Sequence, residues 1–109
     1  MNILPLALPQ SVSHSKEVVS CIEQGLRRYD ERLSWVVFSK FEKDNALSRE
    51  DIIQKPELFS KTIKQIFRFG SPYVEKTLIK ELRKEFQLRE RDYSGLADVI
   101  LEIKQSYTE

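Results

Sequence analysis

One cysteine, one histidine, three glycines and four prolines leave little material for several common chemistries. With Cys21 alone, no disulfide can form within the chain, and in a periodic apolar segment it reads as a small buried thiol. Cys21 and His14 together make no metal-ligand or thiol-protease spacing. The glycines stand at positions 25, 70 and 95, too far apart to line one phosphate-cradling loop. No dinucleotide fingerprint, zinc-ligand cluster or calcium loop is present either. Two acidic pairs, Asp30-Glu31 and Glu50-Asp51, are adjacent in sequence. Neighbours on a helix project in different directions, so these pairs suit caps better than paired acid–base catalysis. A Ser-His-Asp arrangement would need His14 held rigidly, whereas His14 follows a segment expected to be mobile. The expectation is a non-enzyme with no catalytic residue, no cofactor and no metal.

Long apolar runs are also missing. No stretch reaches the 18 or so apolar residues that span a bilayer. The apolar start, Met1 to Pro9, has no basic leader and is interrupted by Pro5 and Pro9, which makes it a poor signal peptide. A soluble cytoplasmic protein is the expected default.

What remains is sufficient for one core. The 109 residues, 40% hydrophobic and 32% charged, fit a single domain. Residues 1–12 are expected to form an extended apolar arm, because each proline restricts itself and its predecessor. Ile3, Leu4, Leu6 and Leu8 would either pack on the domain's own core or dock on a second copy, giving a homodimer. Residues 13–109 are expected to form one helical domain. Ser13 or Ser15 can cap the first helix, whose face is Val18, Val19, Ile22, Leu26 and Tyr29. Gly25 lies near that face and implies close approach by another helix. Asp30 marks the next boundary. Leu33, Val36, Val37 and Phe41 give a second face, widened by Trp35 and Phe38, which read first as packing residues.

Ser48 and Asp51 form a short variant of the capping box, flanked by the staple pair Leu47 and Ile52. Pro56 ends that short helix and opens the next, whose face is Leu58, Phe59, Ile63, Ile66 and Phe67. Gly70 is the expected left-handed cap. Ser71-Pro72 then starts a helix carrying Val74, Leu78, Leu82 and Phe86. Asp92 or Ser94 starts the last, with Leu96, Val99, Ile100, Ile103 and Tyr107. The fold class is therefore all-α: a compact, irregular bundle of about five helices plus one short one. The expected core includes Ile22, Leu26, Val37, Phe41, Phe59, Ile63, Phe67, Leu78, Leu82, Leu96 and Ile100.

The net charge of +1 hides an uneven distribution. Residues 55–84 carry eight basic and three acidic side chains, while residues 85–109 carry three basic and six acidic ones. Lys61, Lys64 and Arg68 recur at helical spacing on one segment. Lys76, Lys80, Arg83 and Lys84 do so on the next, with Gly70-Ser71-Pro72 as the corner between them. Two helices joined this way can form a helix-turn-helix whose basic faces contact phosphates. Glu75, Glu81 and Glu85 on the same helix oppose that reading. The broader expectation is protein–protein recognition, with Trp35, Phe38, Tyr73 and the N-terminal apolar residues as anchors and the surface charges as steering groups. Nucleic acid is the alternative partner, and no membrane partner is expected.

Several of these features occur together in a known arrangement. They are the early helix with Gly25-Leu26, the second helix around Trp35 to Phe41, and the run Pro56-Glu57-Leu58-Phe59. Ile66-Phe67 before Gly70, the helix from Val74 to Leu82, and Phe86-Gln87-Leu88 complete the set. From Val18 to Gln105 the chain resembles the small helical output domain family of archaeal signalling proteins, the type called Nitrosopumilus output domain 5. It departs from that pattern where Arg68 and Phe69 separate Phe67 from Gly70. The resemblance implies a helical, non-enzymatic domain used in archaeal signalling or regulation, with no catalytic residues to carry over. Without an attached sensor or receiver segment, the expected role is a free-standing regulator or adaptor.

Overall fold

The first helix begins earlier than its serine caps suggest. The computed structural model describes residues 4–89 and 91–107, with the side chains of 14–89 and 91–106, and in it α1 spans Leu4–Arg27. The extended arm expected over residues 1–12 is therefore helical from Leu4 onward. Pro5 falls in the first turn, where a missing N–H costs nothing because it would have no acceptor. Pro9 withholds one further bond, and a helix already propagating from a buried face absorbs that loss. Ile3 and the side chains of Leu4, Leu6 and Leu8, assigned above to docking, lie outside the described residues.

Four more helices follow: α2 (Leu33–Asn45), α3 (Pro56–Phe67), α4 (Ser71–Glu85) and α5 (Leu96–Tyr107). Two 3-10 turns flank α3, at Arg49–Ile53 and Arg68–Gly70. The described residues contain no strand, and the fold is all-α. The only clear excess over expectation is the second 3-10 turn.

Helix α3 lies between α2, α4 and α5, while α1 runs across α4 and the first 3-10 turn. Val18, Ile22 and Leu26 of α1 meet Val37, Phe38 and Phe41 of α2, Phe59 and Ile63 of α3, Leu78 and Leu82 of α4, and Leu96 and Ile100 of α5 in one buried cluster. At its centre the Phe59 ring stacks on Phe38 at 6.0 Å and meets Phe41 edge-on at 5.7 Å, geometries that aromatic quadrupoles favour.

Gly25 has the role its position implied. A Cβ there would sit 2.8 Å from Leu78 Cδ2, so α1 and α4 approach more closely than any larger residue permits. Cys21 is buried, and its thiol is pushed up to about 12, mainly by burial, with Glu85 and Glu81 adding to the rise and Arg28 opposing it. Such a thiol stays protonated and unreactive at neutral pH.

Several side chains differ from expectation. Trp35 is exposed, as is Val36, because both lie on the arc of α2 opposite Val37, Phe38 and Phe41. Tyr29 falls past the end of α1 and is half-exposed, its hydroxyl bonded to Thr77 of α4 and to the Tyr73 carbonyl. Phe67 is only partly buried, at the last position of α3. Gly70 does not cap α3: its φ is −83°, and the left-handed residue is Arg68, with φ 50° and ψ −115°.

Candidate functional site

The basic residues of α3 follow from its amphipathic register. Phe59 and Ile63 define the inner arc, so Lys61, Lys64 and Arg68 fall on the outer one, and all three are exposed. The same logic on α4 places Val74, Leu78 and Leu82 inward and Lys76, Lys80 and Lys84 outward at intervals of four, with Tyr73 at the head of the stripe. Arg83 sits at the flank and is half-buried.

Of these seven cations, two share a depression. Lys64 and Arg68 line a single depression together with Lys40 of α2, Gln65, Phe69 and Ser71. Lys61, Lys76, Lys80, Arg83 and Lys84 lie outside it. Lys40 also borders an adjoining groove along α2, lined by Trp35, Val36, Ser39, Lys43 and Asp44. Lys40 thus joins the two hollows into one face.

The corner that presents this face is unusual. Arg68 is a non-glycine residue with positive φ, in a backbone region that glycine favours. The turn it opens contains no buried residue. It holds Phe69 at 96% exposure, against 69% for Trp35 and 74% for Tyr73. An isolated exposed apolar residue is ordinary, but Phe69 shares its depression with three cations, and an aromatic beside arginine has the composition of a recognition surface.

The electrostatics agree. No carboxylate lines the depression. Arg68 has no ion-pair partner among the described residues, and Lys64 bonds only to the Ser60 hydroxyl, at 3.4 Å. Glu75, expected to repel anions on α4, is turned inward instead. Its carboxylate accepts the Ser60 hydroxyl at 2.7 Å and the Leu96 backbone N–H at 3.2 Å, tying α3, α4 and the start of α5 together. Glu81 is held by Arg28 at 2.8 Å. Two of the three glutamates set against an anionic partner are therefore occupied within the fold.

In the acidic C-terminal region, one arginine bridges two of the carboxylates. Arg91 reaches Glu102 at 3.1 Å and Asp98 at 3.7 Å and lies 4.3 Å over the Tyr93 ring. The hydrogen bond that Arg91 donates to Glu102 raises the Arg91 pKa, keeping the cation fully charged.

Of the residues that line the two hollows, the sequence singled out Lys64, Arg68 and Trp35 but not Phe69 or Lys40, and Tyr73 lines neither. Phe69 left no signal, since it follows Ile66 by three and the buried Thr62 by seven and a continued helix would turn it inward; the break of α3 at Arg68 is what exposes it. Lys40 left none, because only the tertiary packing of α2 on α3 brings it to the corner. Among the described residues no group of three or more His, Cys, Asp or Glu side chains is placed to hold a metal ion, and no helix is long and apolar enough to cross a membrane. No family model, curated protein or solved structure matches the chain.

Proposed function

We propose that this domain is a non-catalytic recognition module that binds another protein through the face shared by α2 and the α3–α4 corner. The observation that carries this reading is Phe69, almost wholly solvated on a backbone turn that its neighbour Arg68 enters at positive φ. A large aromatic at such a position contributes little to the fold, and strained conformations concentrate where chains bind ligands or partners. Trp35, in the groove that shares Lys40, supplies further rigid apolar area of the kind that dominates interface energetics. Within the archaeal signalling context that the family resemblance suggests, the module acts as a regulator or adaptor in the cytoplasm. The solvated ring of Phe69 beside Lys64 and Arg68 favours this over a helix-turn-helix DNA reader, which would need base-reading polar side chains at the corner.

Selection of a random displayed-peptide library on the immobilised chain tests the proposal. Peptides should be recovered that bind the wild type and lose at least tenfold in affinity to a Trp35→Ala/Phe69→Ala variant of unchanged helicity. Recovery of no peptides, or of peptides indifferent to both substitutions, would sink it.

A further inference from the structure

We infer that the segment recognised at the α3–α4 corner is acidic, carrying two carboxylates at alternate positions followed by an apolar side chain. This rests on the protein-recognition reading above and specifies its partner. Lys64, Arg68 and Lys40 line the depression, no carboxylate does, and Phe69 stands at its edge. Lys40 already holds Asp44 at 2.7 Å. The unmatched charge therefore belongs to Lys64 and Arg68.

The spacing of those two selects the ligand's form. Arg68 closes α3 as its C-cap, so its Cα stands about 6 Å beyond that of Lys64 along the helix axis. Side chains at alternate positions of an extended peptide are about 6.6 to 6.8 Å apart. Two successive same-side carboxylates can therefore meet Lys64 and Arg68 in turn. The guanidinium can take its carboxylate through two parallel hydrogen bonds, and the ammonium serves as a point charge. The next same-side residue falls beyond Arg68, where Phe69 is exposed. An apolar side chain there covers the ring.

The same face disfavours the other polyanion of similar spacing. A single-stranded nucleic acid needs a continuous cationic track with successive stacking rings. The groove that continues from Lys40 instead offers one ring, Trp35, and two cations, of which Lys40 is already paired with Asp44.

The decisive experiment is an amide-resolved NMR titration of the full 109-residue chain with three probes. They are a 12-residue peptide with a Glu-Ser-Glu-Ser-Phe core, the same peptide with both Glu replaced by Gln, and a 12-nucleotide oligothymidine. The acidic peptide should shift the amides of Lys40, Lys64 and Arg68 to Ser71. It should bind at least tenfold more tightly than the Gln peptide, and weaken about tenfold in Lys64→Gln/Arg68→Gln. Lys64→Gln alone, which leaves the left-handed residue intact, should give part of that loss. Equal binding of the acidic and Gln peptides overturns the inference, as does tighter binding by oligothymidine or the absence of any shift with the acidic peptide. Should neutral peptides from the displayed library still depend on Trp35 and Phe69, the recognition reading stands and only the acidic specificity falls.

Discussion

The two 3-10 turns at the ends of α3 are built from similar material and put to opposite uses. Each opens on an arginine and carries at least one large apolar side chain. In the first, Ile52 and Ile53 are buried, and Asp51 accepts the Ser48 backbone N–H at 3.0 Å. Arg49 gives both its backbone N–H, at 2.9 Å, and its Nε, at 3.1 Å, to Glu42, and lies 4.8 Å over the Phe38 ring. Ser15 of α1 donates to the Glu50 carbonyl at 2.7 Å. In the second, nothing is buried, Arg68 takes a conformation suited to glycine, and Phe69 faces water. One turn has its local preferences satisfied by the fold. The other keeps a cation and an aromatic unsatisfied, which is why the candidate site is placed there and not at its counterpart.

The largest test of this contrast is to truncate the apolar residue of each turn. Ile52→Ala should cost about 2–5 kcal/mol, the range for removing a fully buried aliphatic side chain. Phe69→Ala, although it removes a larger group, should change stability by no more than about 0.5 kcal/mol, as for surface substitutions. Urea unfolding of both variants beside the wild type measures this. A cost above about 1.5 kcal/mol for Phe69→Ala would mean the ring packs on something, and the recognition reading would lose its main support.

The backbones should respond with opposite sign. Asp51→Ala removes the reciprocal cap of the first turn and should destabilise by about 1 kcal/mol. Arg68→Gly relieves a strained conformation worth about 1–3 kcal/mol and gives back about 0.5–1 kcal/mol in chain entropy. The net result should be a gain near 1 kcal/mol. The same substitution should weaken binding of the acidic peptide. A stabilised but poorer binder would identify Arg68 as retained for recognition; a destabilised one would show that its side chain supports the fold.

How much of this was legible in the sequence follows the same division. The first turn obeys local rules, so Ser48, Asp51, Leu47, Ile52 and Pro56 could be assigned their roles from spacing alone. The buried faces of α1, α3, α4 and α5 repeat at three and four, and nearly every expected core residue is buried. Gly25 was readable because a mid-helix glycine needs a reason. The failures arise where local preference is overridden. Pro5 and Pro9 signal extended chain, yet α1 runs through both. Gly70 attracts the left-handed assignment by residue type, while the conformation falls on Arg68. Trp35 reads as core by hydrophobicity, but the register set by Val37, Phe38 and Phe41 turns it outward. Lys40 joins the site only through packing between helices.

The smallest effect sharpens the comparison further, because it separates two glycines whose surroundings are opposite. Gly70 has φ −83°, and an added Cβ there would meet nothing within 4 Å. Gly70→Ala restricts the unfolded chain without clashing in the folded one, and should stabilise by about 0.4–1 kcal/mol. Gly25→Ala gains helix propensity by a similar amount, but its Cβ would stand 2.8 Å from Leu78 Cδ2, on a fully buried side chain with little room to yield. Overpacking of that kind costs about 1–3 kcal/mol, so the net change should be a loss. Urea midpoints moving in opposite directions for the two alanines are the expected outcome. A loss at Gly70 would mean that the corner needs a glycine after all, and that its resting conformation is not the one in which Arg68 carries the strain.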